Sequence, residues 1–103
     1  MRRAAFKMKI KPGFKEEYKR RHDELWPEIA ALIKEKGIRE YSIFFDQETN
    51  YLFACQLIDG ENDSQEIKSD VLQRWWDYMA DIMEVNDDNS PVSTKLEEVF
   101  YIK

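Results

Sequence analysis

Apolar and polar side chains alternate along the first predicted element, which runs from Arg3 to Ile10. A period of two is typical of a β-strand with one buried face. Pro12 and Gly13 follow directly, and this pair is characteristic of a turn that ends a strand. The apolar side of the strand consists of Ala4, Phe6, Met8 and Ile10.

The pattern changes to a helical spacing between Phe14 and Lys36, and Gly37 is a suitable residue to stop the helix. Pro27 interrupts this segment. A proline inside a helix removes one backbone hydrogen bond and collides with the carbonyl four residues earlier, so we expect a kink or break near Trp26-Pro27. The predicted apolar stripe contains Phe14, Tyr18, Leu25, Ile29, Leu32 and Ile33.

Two β-branched and aromatic segments, Ile38–Asp46 and Tyr51–Ile58, predict a hairpin around the polar turn 47–50. Asp59–Ser69 is polar and predicts a loop with a short helix. A second helix is expected over Asp70–Met83. Asp70 is its predicted cap, with Gln73 in the reciprocal position of a capping box.

A polar loop over Glu84–Thr94 and a last strand over Leu96–Ile102 complete the chain. The predicted order is β-α-β-β-α-β. This is the ferredoxin-like arrangement, an α+β fold with an antiparallel sheet and both helices on one face. With 103 residues, the chain fits a single domain over residues 1–103.

Both faces of the predicted sheet are apolar. On the central strands, Ile43 and Phe45 oppose Phe44, and Phe53 opposes Leu52. Helices cover only one face, so the other needs a cover as well. A second copy of the same sheet, in a symmetric dimeric α/β barrel, is the simplest cover. The alternative is a monomer that buries this face under its own loop and C-terminal segment.

Charge and composition exclude some classes of partner. Charged residues make up 36% of the chain and the net charge is −5, which argues against nucleic acid and anionic membrane surfaces. The single cysteine, Cys55, rules out an intramolecular disulfide. No signal-peptide pattern or transmembrane stretch is legible, so the expected location is the cytoplasm.

His22 is the only histidine, and it lies four residues after Tyr18, so both project from one side of the helix. A neutral imidazole can give and accept a proton near neutral pH. Pattern alone leaves open whether His22 is catalytic or a satisfied residue at a helix edge. One histidine and one cysteine do not make a usual zinc site, and no metal or cofactor motif is present.

Trp75 and Trp76 form an adjacent aromatic pair on the second helix. They are either core residues or a platform for the apolar face of a sugar. Tyr41 and the Asn/Ser-rich loop are candidates for hydrogen bonds to such a ligand. The strand Tyr51–Ile58 offers no residue that we assign to chemistry.

Three segments resemble L-rhamnose mutarotases: EEYKRRHDELWPEI (16–29), QRWWDYM (73–79) and DNSPVSTKLEEVFY (88–101). The similarity keeps one register over nearly the whole chain. The resemblance implies a cytoplasmic homodimer of ferredoxin-like subunits that interconverts the α and β anomers of L-rhamnose. It further implies that His22 is the proton donor and that Tyr18, Tyr41, Trp75 and Trp76 bind substrate.

Mutarotation opens and recloses the sugar ring, and it needs no cofactor, metal or covalent intermediate. By this hypothesis His22 protonates the ring oxygen and takes the proton back on closure. Tyr18 or a water is the candidate base. Two alternatives stay open: a dimeric ferredoxin-like monooxygenase or haem-handling protein, and a sugar-binding protein without catalysis.

Overall fold

A computed structural model describes residues 1–59 and 69–103. The segment predicted as a loop with a short helix, Asp59–Ser69, lies outside the described residues except at its two ends. The elements are β1 (Arg2–Lys9), α1 (Lys15–Asp23), α2 (Pro27–Glu35), β2 (Ile38–Phe45), β3 (Tyr51–Ile58), α3 (Asp70–Met79) and β4 (Thr94–Leu96).

The strands form one antiparallel sheet in the order β2-β3-β1-β4. Strand β1 lies in the middle and pairs along its whole length with β3, from Arg2 opposite Ile58 to Lys9 opposite Tyr51. The predicted ferredoxin-like α+β fold is therefore confirmed. None of the helices in the two described ranges is long and apolar enough to cross a membrane.

The long helical segment is broken where Pro27 predicts it. Helix α1 ends at Asp23, and α2 begins with Pro27 as its first residue. Proline suits this position because the missing N–H would have no partner there and its φ angle is already helical. Gly37 adopts a positive φ of 80° just after α2, as expected for a helix stop.

Helix α3 differs from its prediction at both ends. Its cap is Ser69, not Asp70: the Ser69 hydroxyl accepts a hydrogen bond from the Val71 backbone N–H at 3.2 Å. The helix stops at Met79, four residues earlier than expected. The following residues pair with the end of the first strand instead, where Ile82 O accepts from Lys11 N at 2.9 Å.

The last strand is also shorter and earlier than predicted. Only Thr94–Leu96 pairs with β1, and the residues beyond it form no ladder. Side chains hold this C-terminal tail (97–103) to the sheet instead. Arg3 forms a bidentate pair with Glu98 at 2.8 and 3.1 Å, and its guanidinium lies 3.3 Å from the centre of the Tyr101 ring.

The core lies between the helices and one face of the sheet. This helix-facing side carries the even-numbered positions of β1 and β3, and they include Met8, Leu52, Ala54 and Ile58, each at most 7% exposed. Ile29 of α2, together with Trp75 and Met79 of α3, covers them from the other layer. The two layers leave room for a pocket at one end.

The opposite side, here called the open face, points away from the helices, and the C-terminal tail reaches it at Arg3, which the register places beside Leu57. It carries Phe44, Phe53, Cys55 and Leu57, which the strand register places side by side. Phe44 is 66% exposed and Cys55 is exposed as a free thiol. The prediction that apolar side chains occupy both faces of the sheet is thereby confirmed.

Candidate active site

A cavity of about 1300 Å³ lies between the sheet and the helices. The sheet contributes its helix-facing side, all three helices contribute to the facing wall, and residues 85–96 contribute the rim. All five residues singled out from the sequence line this one cavity: Tyr18, His22, Tyr41, Trp75 and Trp76. The fold therefore brings together side chains from α1, β2 and α3.

Tyr18 and His22 are stacked on α1. Their ring centroids are 4.2 Å apart, with an angle of 24° between the ring planes. Trp75 meets His22 edge-on at 5.5 Å and 82°. The imidazole is thus held between two aromatic rings, a geometry that restricts its rotation.

One nitrogen of the His22 ring is hydrogen-bonded to the backbone. Its Nδ1 lies 3.1 Å from the backbone carbonyl oxygen of Tyr18. A carbonyl only accepts hydrogen bonds, so Nδ1 carries the proton, and in the neutral ring Nε2 carries the lone pair. Burial lowers the pKa of His22 below its ordinary value of 6.5, although the hydrogen bond to Tyr18 opposes this change. At neutral pH the ring is therefore neutral, with Nε2 as a proton acceptor.

The two tyrosines remain protonated phenols. Burial, with a smaller effect from the nearby Tyr41, raises the pKa of Tyr18 well above its usual range. Burial raises the pKa of Tyr41 to about 12. The exposed part of Tyr41, 38% of the residue, lies on the wall of the cavity. Each phenol can donate one hydrogen bond to a ligand oxygen and accept others.

The tryptophan pair divides between two environments. Trp75 is 8% exposed and belongs to the buried core, where it also contacts Trp26 edge-on at 5.0 Å. Trp76 is only partly buried and borders the cavity. Trp75 is therefore a core residue, whereas the role of Trp76 as a ligand platform stays a prediction; both rings line the pocket.

Arg21 fixes α1 against α3 beside the site. Its guanidinium is nine-tenths buried and donates to the Asp81 carboxylate at 2.9 and 3.2 Å and to Tyr78 O at 2.8 Å. It also donates to Glu17 at 2.7 Å. These bonds tie α1, which carries His22, to α3, which carries Trp75.

The rim of the pocket is a loop organised by its own hydrogen bonds. Asn86 donates to the Ser90 hydroxyl at 3.0 Å. Asn89 and Gln73 both donate to one oxygen of Asp77 on α3, at 3.1 and 3.0 Å. Asn86, Asn89 and Ser90 border the cavity, so the loop places polar groups at its rim. That they bind a ligand stays a prediction.

One pocket residue was missed in the sequence. Gln56 lies on β3, faces the helices, is 7% exposed and borders the cavity. The signal was present, because a single amide stands at a core-facing position of an otherwise apolar strand. What the sequence lacks is the register that sets Gln56 beside Tyr41.

The site offers acid-base chemistry within an aromatic pocket. Within residues 1–59 and 69–103, no group of three or more His, Cys, Asp or Glu side chains is arranged to hold a metal ion. One neutral imidazole, two phenols and several amides suit a neutral ligand rich in hydroxyl groups.

Comparison with known proteins identifies the family. A family profile described as L-rhamnose mutarotase matches residues 3–102. Curated proteins named L-rhamnose mutarotase are 57% identical in Formosa agariphila, over the full length of both chains, and 55% identical in Bacteroides thetaiotaomicron, over 99% of each.

The fold gives the same result. A crystal structure of an L-rhamnose mutarotase from Formosa agariphila superposes with a TM-score of 0.93, at 54% identity and with complete coverage of both chains. The chain belongs to the L-rhamnose mutarotase family.

Proposed function

We propose that this protein interconverts the α and β anomers of L-rhamnose. The names of its relatives supply the sugar and the reaction. The observation that carries the proposal in this chain is the position of His22, a neutral imidazole held between Tyr18 and Trp75 on a pocket wall.

The reaction moves one proton and one bond. On opening, the anomeric hydroxyl loses its proton, the bond from the anomeric carbon to the ring oxygen breaks, a carbonyl forms and the ring oxygen gains a proton. The aldehyde group then turns and the ring closes on its other face. No atom or electron is gained or lost, so the protein needs only to relay protons and hold the sugar.

His22 is the proposed proton relay. Its Nε2 lone pair takes the proton from the anomeric hydroxyl and then protonates the ring oxygen. Both oxygens are attached to the same carbon, so one nitrogen can reach each in turn. The reverse sequence closes the ring. The hydrogen bond between Nδ1 and Tyr18 O supports this order, because it leaves Nε2 as the acceptor at the start.

The remaining residues bind and orient the sugar. Tyr18 and Tyr41 act as hydrogen-bond donors, since their raised pKa values keep both phenols neutral. The raised pKa of Tyr18 also argues against this phenol as the base, because a base must be deprotonated to act. Trp76 offers a flat apolar surface for stacking, and the loop amides face the hydroxyl groups.

The pH dependence follows from the neutral state of His22. Protonation removes the Nε2 lone pair, so kcat is expected to fall as pH decreases through a His22 pKa below 6.5 and to stay flat above it. Polarimetric rates, corrected for the rate without protein at each pH, measure this profile. A kcat that instead rises on acidification would assign the working form to the imidazolium and refute the proposed order.

Polarimetry also tests the activity itself. Freshly dissolved crystalline L-rhamnose changes its optical rotation as the anomers equilibrate, and the protein should accelerate this change. Binding of L-rhamnose without acceleration would leave the non-catalytic sugar-binding alternative. A haem absorption band on titration, with no effect on any sugar, would favour the monooxygenase or haem-handling alternative.

A homodimer through the open face is part of the proposal. Phe44 supports it, because it is 66% exposed and the half-buried Phe53 and Leu57 extend the apolar surface beside it; an exposed apolar surface on a sheet marks an interface. The tail adds exposed apolar side chains, with Val99 91%, Phe100 78% and Ile102 77% exposed. The cytoplasmic location expected from the sequence stays a prediction.

Sedimentation analysis measures the oligomeric state. We expect the wild type to sediment as a dimer and the Phe44→Lys variant, which places a charge within the apolar surface, to sediment as a monomer. Phe14→Lys is the matched control, because Phe14 lies before α1 and away from the open face. A monomeric wild type at micromolar concentration would contradict the proposed dimer.

A further inference from the structure

Gln56 stands out among the residues of the sheet. In the described part of the chain, Arg21 and Gln56 are the only buried non-aromatic residues with polar or charged side chains. Arg21 is accounted for by its ion pairs between helices. A buried amide without a hydrogen bond is costly, so Gln56 needs a partner and a reason for its position.

The strand register identifies the partner. Gln56 lies directly opposite Tyr41 across β2 and β3, and opposite the small residue Ala4 across β1 and β3. All three positions face the helices, and all three border the cavity. No buried side-chain nitrogen or oxygen in residues 1–59 and 69–103 is left without a hydrogen bond.

An amide side chain can either donate to a phenol oxygen or accept from the phenol hydroxyl. The Gln56 side chain lowers the pKa of Tyr41, an effect opposite to that of burial. A group that donates to the phenol oxygen stabilises the phenolate and has this effect. This direction favours donation from the amide N–H, which would occupy one lone pair of the Tyr41 oxygen and leave the phenol hydrogen free to point elsewhere.

We propose that Gln56 is a positioning residue whose amide holds Tyr41 as a hydrogen-bond donor to the sugar. The proposal rests on the proposed function, because it assigns a role in binding the sugar at that site. An apolar side chain at this position would leave the phenol free to rotate. An acceptor there would draw the phenol hydrogen away from the ligand.

Replacing Gln56 by an apolar side chain of similar size tests whether its hydrogen bond matters. Gln56→Met removes the hydrogen bond without changing the side-chain length much. Loss of one neutral hydrogen bond to substrate should raise KM for L-rhamnose by about 3- to 10-fold and leave kcat within about twofold. Gln47→Met, the same change in the exposed turn between β2 and β3, is the control and should leave both constants unchanged.

A double-mutant cycle with Tyr41→Phe tests whether Gln56 acts through Tyr41. If it does, the double variant has the same KM as Tyr41→Phe alone, since the hydroxyl that Gln56 orients is already gone. Effects that multiply, or an unchanged KM in Gln56→Met, would overturn the proposal. Circular dichroism confirms that each variant is folded before its constants are compared.

The pH dependence of KM in Gln56→Glu separates a positioning role from a purely structural one. An ionised carboxylate only accepts, so it reverses the hydrogen bond and raises KM above that of Gln56→Met. Protonating the carboxyl group at lower pH restores a donor and returns KM toward the wild-type value. Equal KM values for the two variants at every pH would refute the role of hydrogen-bond direction.

The wild type in the same series separates the two hypotheses. If the wild type does not accelerate anomer exchange of L-rhamnose, the proposed function fails. If the wild type is active and the Gln56 variants behave like it, only the positioning role fails.

Discussion

Replacement of His22 by Ala is expected to lower kcat for L-rhamnose anomer exchange by about 10²- to 10⁴-fold, the usual contribution of a positioned acid-base group. Binding of the sugar should change little, because Tyr18, Tyr41 and Trp76 remain in place. Polarimetric rates give kcat, and calorimetric titration gives the dissociation constant. The expected result separates a loss of proton transfer from a loss of binding.

Controls for this variant address packing. The His22 ring is stacked against Tyr18, so truncation to Ala leaves space in the pocket wall. His22→Gln fills more of that space but supplies no group that exchanges protons near neutral pH, and it should be equally inactive. Arg20→Ala, on the exposed side of the same helix, should keep full activity. Wild-type rates in both His22 variants would remove His22 from the mechanism.

The second large effect is expected for stability and concerns Trp75. Trp75→Ala should lower the free energy of unfolding by about 3–5 kcal/mol, as removal of a buried tryptophan leaves a cavity against Trp26 and Met79. The total free energy of unfolding of a typical domain is only about 5–15 kcal/mol, so this variant approaches the limit of a stable fold.

Trp76→Ala is the matched comparison on the neighbouring residue. The partly buried ring borders the cavity, so its loss should cost about 1–2 kcal/mol of folding stability and mainly raise KM for the sugar. Urea unfolding of both variants and the wild type measures the difference. Equal destabilisation by the two substitutions would contradict the division of the pair into a core residue and a ligand platform.

Local chemistry made much of the fold predictable. Alternation in β1 and the hairpin residues define strands without reference to the rest of the molecule. The break before Pro27 follows from the geometry of proline alone. The order of these elements then selects the ferredoxin-like topology, because few arrangements bury two amphipathic helices on a small antiparallel sheet.

The errors arose where distant residues decide the structure. The apolar stripe of α3 continues to Met83, but Met83 pairs with Ile10 of the first strand, and this contact ends the helix early. The tail after Leu96 has the composition of a strand, yet Arg3 holds it through side chains. At the start of α3, two adjacent capping residues compete, and Ser69 rather than Asp70 has the extended backbone of a cap.

The candidate site was predictable in part. Helical spacing alone placed Tyr18 and His22 on one side of α1, and they are stacked there. Tyr41 was a hydrogen-bond candidate from its residue type, and the resemblance to L-rhamnose mutarotases supported that choice; its place on the wall of the same cavity depends on sheet packing. Gln56 was missed because the contact with Tyr41 depends on the cross-strand register, which the sequence does not display.

Catalysis of L-rhamnose anomer exchange by this pocket can be measured directly. Saturation transfer between the α and β anomeric proton signals measures that exchange at equilibrium, without any change in the sample. We expect saturation to pass between the two signals when micromolar wild-type protein is present, and not with the same concentration of His22→Ala. No transfer with the wild type, under conditions where L-rhamnose binds, would contradict it.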